Sequence, residues 1–108
     1  MTTFDEREKA FEKKFEHDQD LQFKATSRKN KLLGLWAASL MGKSGADAEA
    51  YAKEIVLANF EKPGENDVLH KLMKDLAAAG KPTEDHTIIK QGERLLIEAK
   101  EQVMKETH

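Results

Sequence analysis

A chain of 108 residues is about one domain's worth, able to bury roughly two-thirds of its unfolded surface, so a second independent core is not expected. Eighteen basic residues against twenty acidic ones leave a formal charge of −2, with 35% of residues charged and 39% hydrophobic; this balance excludes a strongly basic nucleic-acid binder and an acidic tail protein. Without cysteine there are no disulfides, thiolate zinc sites or thiol nucleophiles, so packing must supply the stability, and a reducing compartment such as a cytoplasm is expected.

β-branched and aromatic residues are sparse while Ala, Leu, Glu and Lys abound, which is a helical composition. Punctuation at Gly42 to Gly45, at Pro63-Gly64 and at Gly80-Lys81-Pro82 predicts an all-α four-helix bundle. The first segment is too long for one ordinary helix. Phe4, Phe11 and Phe15 share a narrow arc of a helical wheel, but the arc continues onto Asp18, Gln19 and Gln22, so the aromatic stripe ends near Phe15. A new apolar pattern opens at Leu21 and reaches residues 32–41, where eight of ten are apolar, Trp36 among them; this is read as the central helix. The polar run His17-Asp18-Gln19-Asp20 between the patterns is read as a hinge, with Asp18 or Asp20 as a cap. The domain reading is therefore a mobile N-terminal amphipathic arm, 1–19, followed by a helical bundle, 20–108.

In the second segment Ala48, Tyr51, Ala52, Ile55, Val56 and Phe60 are expected inward, with Glu49 pairing to Lys53 on the outer face. The third has the cleanest period: Val68, Leu69, Leu72, Met73 and Leu76 make one stripe, and Gly80 with Pro82 stops the helix. The fourth is expected to be capped by Thr83, with Glu84 and Asp85 favoured by the helix dipole. Its inner face is read as Ile88, Ile89, Gly92, Leu95, Leu96, Ala99 and Val103, with Gly92 admitting a close neighbour and Ile97 and Met104 off the stripe.

Candidate chemistry is thin. Gly42-Lys43-Ser44 echoes a phosphate-binding loop, but the pattern requires glycine where Ala37 stands and a strand where an apolar helix runs; a helix-terminating glycine followed by a Ser44 cap explains it. His17, His70, His86 and His108 lie on different segments with no pair at ligand spacing, so no metal or cofactor is expected. His17 with Asp18 and Asp20 reads as a polar hinge. No arrangement of nucleophile, acid and base emerges, so no catalytic residue and no enzymatic activity are expected. There is no run of about 20 apolar residues, so direct membrane insertion is not expected either.

The arm carries the best functional signal. Residues 1–20 hold seven acids and four bases, and three phenylalanines supply too little apolar area for an isolated helix. Such a stripe either folds back onto the bundle as core or enters a groove on a partner, where apolar anchors give affinity and the flanking Arg7, Lys9, Lys13 and Lys14 among Asp5, Glu6, Glu8, Glu12 and Glu16 suit mixed charge. An acidic arm does not suit a membrane surface.

The residues Phe4 to Asp18, with Leu21, Phe23-Lys24-Ala25 and the run Asn30-Lys31-Leu32-Leu33-Gly34-Leu35-Trp36-Ala37-Ala38, closely resemble the zeta subunit family of alphaproteobacterial F-type ATP synthases. The resemblance is strong through Gly42 and looser through Tyr51-Ala52 and residues 67–76; the chain departs from the family after Pro82, at Lys29 and at Glu65-Asn66. It implies a four-helix inhibitor of ATP hydrolysis whose N-terminal segment inserts at the catalytic interface between the alpha and beta subunits and meets the gamma stalk, becoming helical there. The matching positions are Phe4, Asp5, Arg7, Glu8, Ala10, Phe11, Lys14 and Phe15. It also implies a cytoplasmic protein, peripheral to the inner membrane through the synthase. Two other readings stay open: a helical module for an anionic small molecule or nucleotide, bound at Lys24, Arg28, Lys29 and Lys31, or an interaction module for an unrelated protein.

Overall fold

The structure, a computed structural model, describes residues 19–61 and 65–106. The described residues form four helices: α1 (Gln19–Leu40), α2 (Gly45–Glu61), α3 (Glu65–Ala78) and α4 (Asp85–Glu106). The all-α bundle expected from the composition is what forms. The arm and the first half of the hinge, His17 and Asp18, lie outside the described residues, whereas Gln19 and Asp20 already belong to the first turn of α1.

Helix α1 is central because it packs against all three of the others, while α2 and α4 share no direct packing and α3 touches both. Its buried residues explain why no single stripe is visible. Leu21, Ala25, Leu33 and Ala37 follow one row of helical neighbours, and Asn30, Gly34 and Ala38 follow the row beside it. Each row serves a different partner: a methyl placed on Gly34 would come within 2.7 Å of the Ala52 Cα on α2, while the nearest atom to one placed on Gly92 of α4 is Leu33 Cδ2 at 3.9 Å. Close approach therefore occurs at Gly34 and not at Gly92. It needs a missing side chain on α1, and the neighbouring Ala37, Ala38 and Ala52 are almost completely buried.

Large side chains from the flanking helices fill the space beside these small residues. Tyr51, Ile55, Val68, Leu72, Leu76, Ile88 and Leu95 join Leu33, Ala37 and Ala38 in the main core, with Trp36, Leu69 and Met73 packed on it. A smaller cluster of Leu21, Ala25 and Val103, covered by Leu96 and Met104, holds the first turns of α1 to the end of α4. Met104, expected off the stripe, thus packs inward at the root of α1, while Ile97 is exposed as expected. Ile89 and Phe60, expected inward, are 47% and 48% exposed, because each sits at the edge of the face its helix turns to α1.

Both glycine stops end their helices with the same pair of bonds. Gly42 (φ 83°) donates to the Ser39 carbonyl and Lys43 to that of Ala38; Gly80 (φ 78°) donates to Ala77 and Lys81 to Leu76. Thr83 is not the expected cap of α4: its hydroxyl donates back to the Lys81 carbonyl at 3.0 Å, and the first helical bonds are accepted by the carbonyl of Glu84. The turn thus uses Thr83 to brace Pro82, and the helix starts one residue later than a Thr83 cap would place it. α2 begins at Gly45, directly after Ser44.

Replacing Gly34 by alanine forces α1 and α2 apart and is expected to cost about 1–3 kcal/mol. Gly92→Ala, which meets only ordinary contact, is expected to be neutral or to stabilise by up to about 1 kcal/mol through helix propensity. Urea denaturation midpoints of the two variants check this, and equal effects would remove Gly34 as the close contact.

Candidate interaction faces

The sequence-predicted site residues Phe4, Asp5, Arg7, Glu8, Ala10, Phe11, Lys14 and Phe15 lie outside the described residues. What the structure describes is the base from which that segment emerges and the faces around it. Leu21 and Ala25 are buried against Val103, so the first turns of α1 are held on α4. Arg28 reinforces this junction: one guanidinium nitrogen donates to Gln102 Oε1 at 2.8 Å and the other reaches both carboxylate oxygens of Glu106 at 2.6 and 2.8 Å. The fork fixes the angle between the two helices more than it adds stability, since the pair is partly exposed.

This contact also divides the basic turn. Lys24, Arg28 and Lys31 line one groove together with Phe23, Ser27, Val56 and Glu106, whereas Lys29 lines a separate cleft between α1, α3 and α4. The four cations therefore do not converge on one anion, and the charge of Arg28 is matched by Glu106. The expected Glu49–Lys53 pair is not formed. Lys71 instead bridges Asp75 at 3.0 Å and Glu54 at 4.0 Å, tying α3 to α2.

In the cleft that holds Lys29, Asn30 is only 2% exposed and its Oδ1 accepts no hydrogen bond from the described residues. A buried carbonyl so placed can accept a donor, in a cleft whose wall is apolar at Leu33, Val68, Ile88 and Leu96 and polar at Thr26, Asn59 and Glu93. In the sequence Asn30 sits within the polar run from Ser27 to Lys31, just before the apolar run that opens at Leu32, so helical periodicity alone does not distinguish it from solvent surface.

The α2–α3 side carries the most perturbed group. Tyr51, 6% exposed, donates its hydroxyl to Asp75 Oδ2 at 2.8 Å, and Lys71 Nζ lies 5.8 Å from the ring centroid. Burial first, then the hydrogen bond to Asp75 and the charges of Asp75 and Glu54, push its ionisation far above the usual tyrosine range. Among the described residues no cluster of three or more metal-ligating side chains occurs, and no helix is long and apolar enough to cross a membrane.

Fold and faces together define a small all-α bundle with a root for a preceding segment at one end of its central helix. The chain belongs to the ATPase inhibitor subunit zeta family, whose family model matches residues 1–102. That match runs through most of α4, further than the resemblance read from the sequence, which faded after Pro82. A solved protein, described as a solution NMR structure, is 44% identical, with 80% of this chain and 98% of that one covered and a TM-score of 0.70. No curated protein matches the chain. Family membership gives the protein an ATPase-inhibitory, regulatory role.

Tyr51 yields a pH prediction. The unfolded chain loses the tyrosine proton at about pH 10, whereas the folded chain keeps it, so the unfolded state binds fewer protons above that pH. Stability is therefore full below about pH 10 and falls as pH rises beyond it. Tyr51→Phe is expected to cost about 1 kcal/mol at neutral pH and to flatten the alkaline decline. Chemical denaturation from pH 8 to 11 checks this, and tyrosinate absorbance is unambiguous because the chain has one tyrosine.

Proposed function

We propose that this protein is a regulatory inhibitor subunit of an F-type ATP synthase, blocking hydrolysis by inserting its N-terminal segment at the interface between alpha and beta subunits, in reach of the gamma stalk. The observation that carries the reading is that the family match begins at residue 1 and so includes the phenylalanine stripe, together with the scaffold behind it. The arm, residues 1–19, is the effector and the bundle, 20–108, its anchor; Phe4, Phe11 and Phe15 are the apolar anchors, with Asp5, Arg7, Glu8, Ala10 and Lys14 as the matching flank.

The physics of the arm supports this assignment. An amphipathic segment with three apolar anchors among six acids and four bases is too weak to hold a helix alone, so ordering is coupled to binding. Ordering carries an entropic cost, and the net affinity then depends on how well the rotary state of the interface encloses the segment. A wedge of this kind resists one direction of a cycle more than the other. The root at Leu21, Ala25 and Val103, braced by Arg28 and Glu106, gives the wedge a fixed base against which rotor torque acts. The protein itself has a binding role and no reaction chemistry, and it sits in the cytoplasm, peripheral to the inner membrane through the synthase.

Removal of residues 1–16 is expected to leave the helical circular dichroism of the bundle intact while abolishing inhibition of ATP hydrolysis. Undiminished inhibition by the shortened chain would reject the arm as effector. Phe11→Ala and Phe15→Ala, each removing a buried anchor, are expected to weaken inhibition by about 2 kcal/mol apiece, roughly thirtyfold in potency.

A further inference from the structure

Six large apolar residues are exposed among the described residues, and two of them, Phe23 at 55% and Phe60 at 48%, meet at the seam between α1 and α2, with Leu57, 48% exposed, beside Phe60 on α2. Phe23 and Phe60 are in ring contact across it, centroids 5.1 Å apart and planes inclined at 51°. Leu57 lies one turn before Phe60 on the same face of α2, and half-buried Val56 lines the groove beside Phe23. Each ring therefore packs one edge on the other and offers the remainder to the surroundings. Isolated exposed apolar residues are ordinary, but an aromatic pair with an aliphatic neighbour on one seam is the composition of an interface core.

The charges along this seam are predominantly basic. Lys24 and Lys31 border the groove from α1, and Lys53 borders its continuation from α2. Glu49 stands at the far end, and Glu106 is occupied by Arg28. Three lysines against one unmatched carboxylate leave the rim basic around an apolar floor. Such a rim steers an acidic surface towards it and rejects a basic one.

We propose that the α1–α2 seam is a second binding face, through which the bundle docks on an acidic surface of the synthase head carrying protruding apolar side chains, next to the point where the arm inserts. This rests on the function proposed above and names the part of the bundle that anchors. Position favours the synthase as occupant: Phe23 follows Phe15 by eight residues, at most about 28 Å of chain, so a surface gripping the arm is within reach of the seam. When the arm is inserted it is not available to cover the seam itself. Two footings joined by a short connection act as a bivalent binder, the second contributing through effective concentration.

The test uses the full-length chain and synthase heads stripped of their own copy of this subunit. Leu57→Glu and Lys53→Glu alter exposed positions, so the bundle is expected to keep its circular dichroism and thermal midpoint. Each is expected to weaken inhibition roughly tenfold, and raising salt is expected to reduce the potency of the native chain more than that of Lys53→Glu. As a comparator, Lys105→Glu, exposed near the end of α4, is expected to inhibit as the native chain does. Unchanged potency of Leu57→Glu and Lys53→Glu, with the native chain still inhibiting, overturns the seam and leaves the arm's role intact; a native chain that does not inhibit overturns the underlying function. Potency that rises in Leu57→Glu means the seam covers the chain's own arm, and a native dimer that Leu57→Glu dissolves in sedimentation means it covers a second copy. Either result overturns the proposal.

Discussion

The bundle depends on how closely α1 can approach α2. A helix surrounded by others cannot carry large side chains on every buried row without driving its neighbours beyond the usual interaxial distance. Gly34 removes the side chain at the point where the Ala52 backbone lies, and Ala37, Ala38 and Ala25 keep the rest of the surface low. The volume is supplied from outside by Ile55, Leu72, Leu76 and Ile88. In a chain with no cysteine, this interdigitation of small central and large peripheral residues is the source of stability.

The same arrangement organises the two ends of α1 differently. At its C-terminal end the main core encloses it, and Gly42 closes the helix through paired bonds to Ser39 and Ala38. At its N-terminal end the small Leu21, Ala25 and Val103 cluster holds it to α4, the Phe23–Phe60 ring contact holds it to α2, and the Arg28 fork adds direction.

Polar groups divide by a similar logic. Tyr51, Asp75, Lys71 and Glu54 form a connected set between α2 and α3, in which the buried hydroxyl has its acceptor and the charges are near water. Asn30 is the opposite case, a buried amide whose oxygen has no donor among the described residues. The first locks two helices; the second leaves an open acceptor in a cleft.

Much of the fold was legible before any coordinates. The all-α class, the glycine stops at Gly42 and Gly80, the Val68 to Leu76 stripe and the central status of the Trp36 helix follow from local conformational preference and from a period of 3.6, both of which a linear chain displays directly. Family membership was legible too, because the arm and the first half of α1 bear its pattern. Which glycine is the close contact, why Phe60 and Ile89 stay half-exposed, why Met104 turns inward, and why Arg28 leaves the neighbouring lysines were decided only by tertiary structure. These depend on which helix lies opposite each face and at what distance, and a helical wheel records the direction of a side chain without recording what it meets.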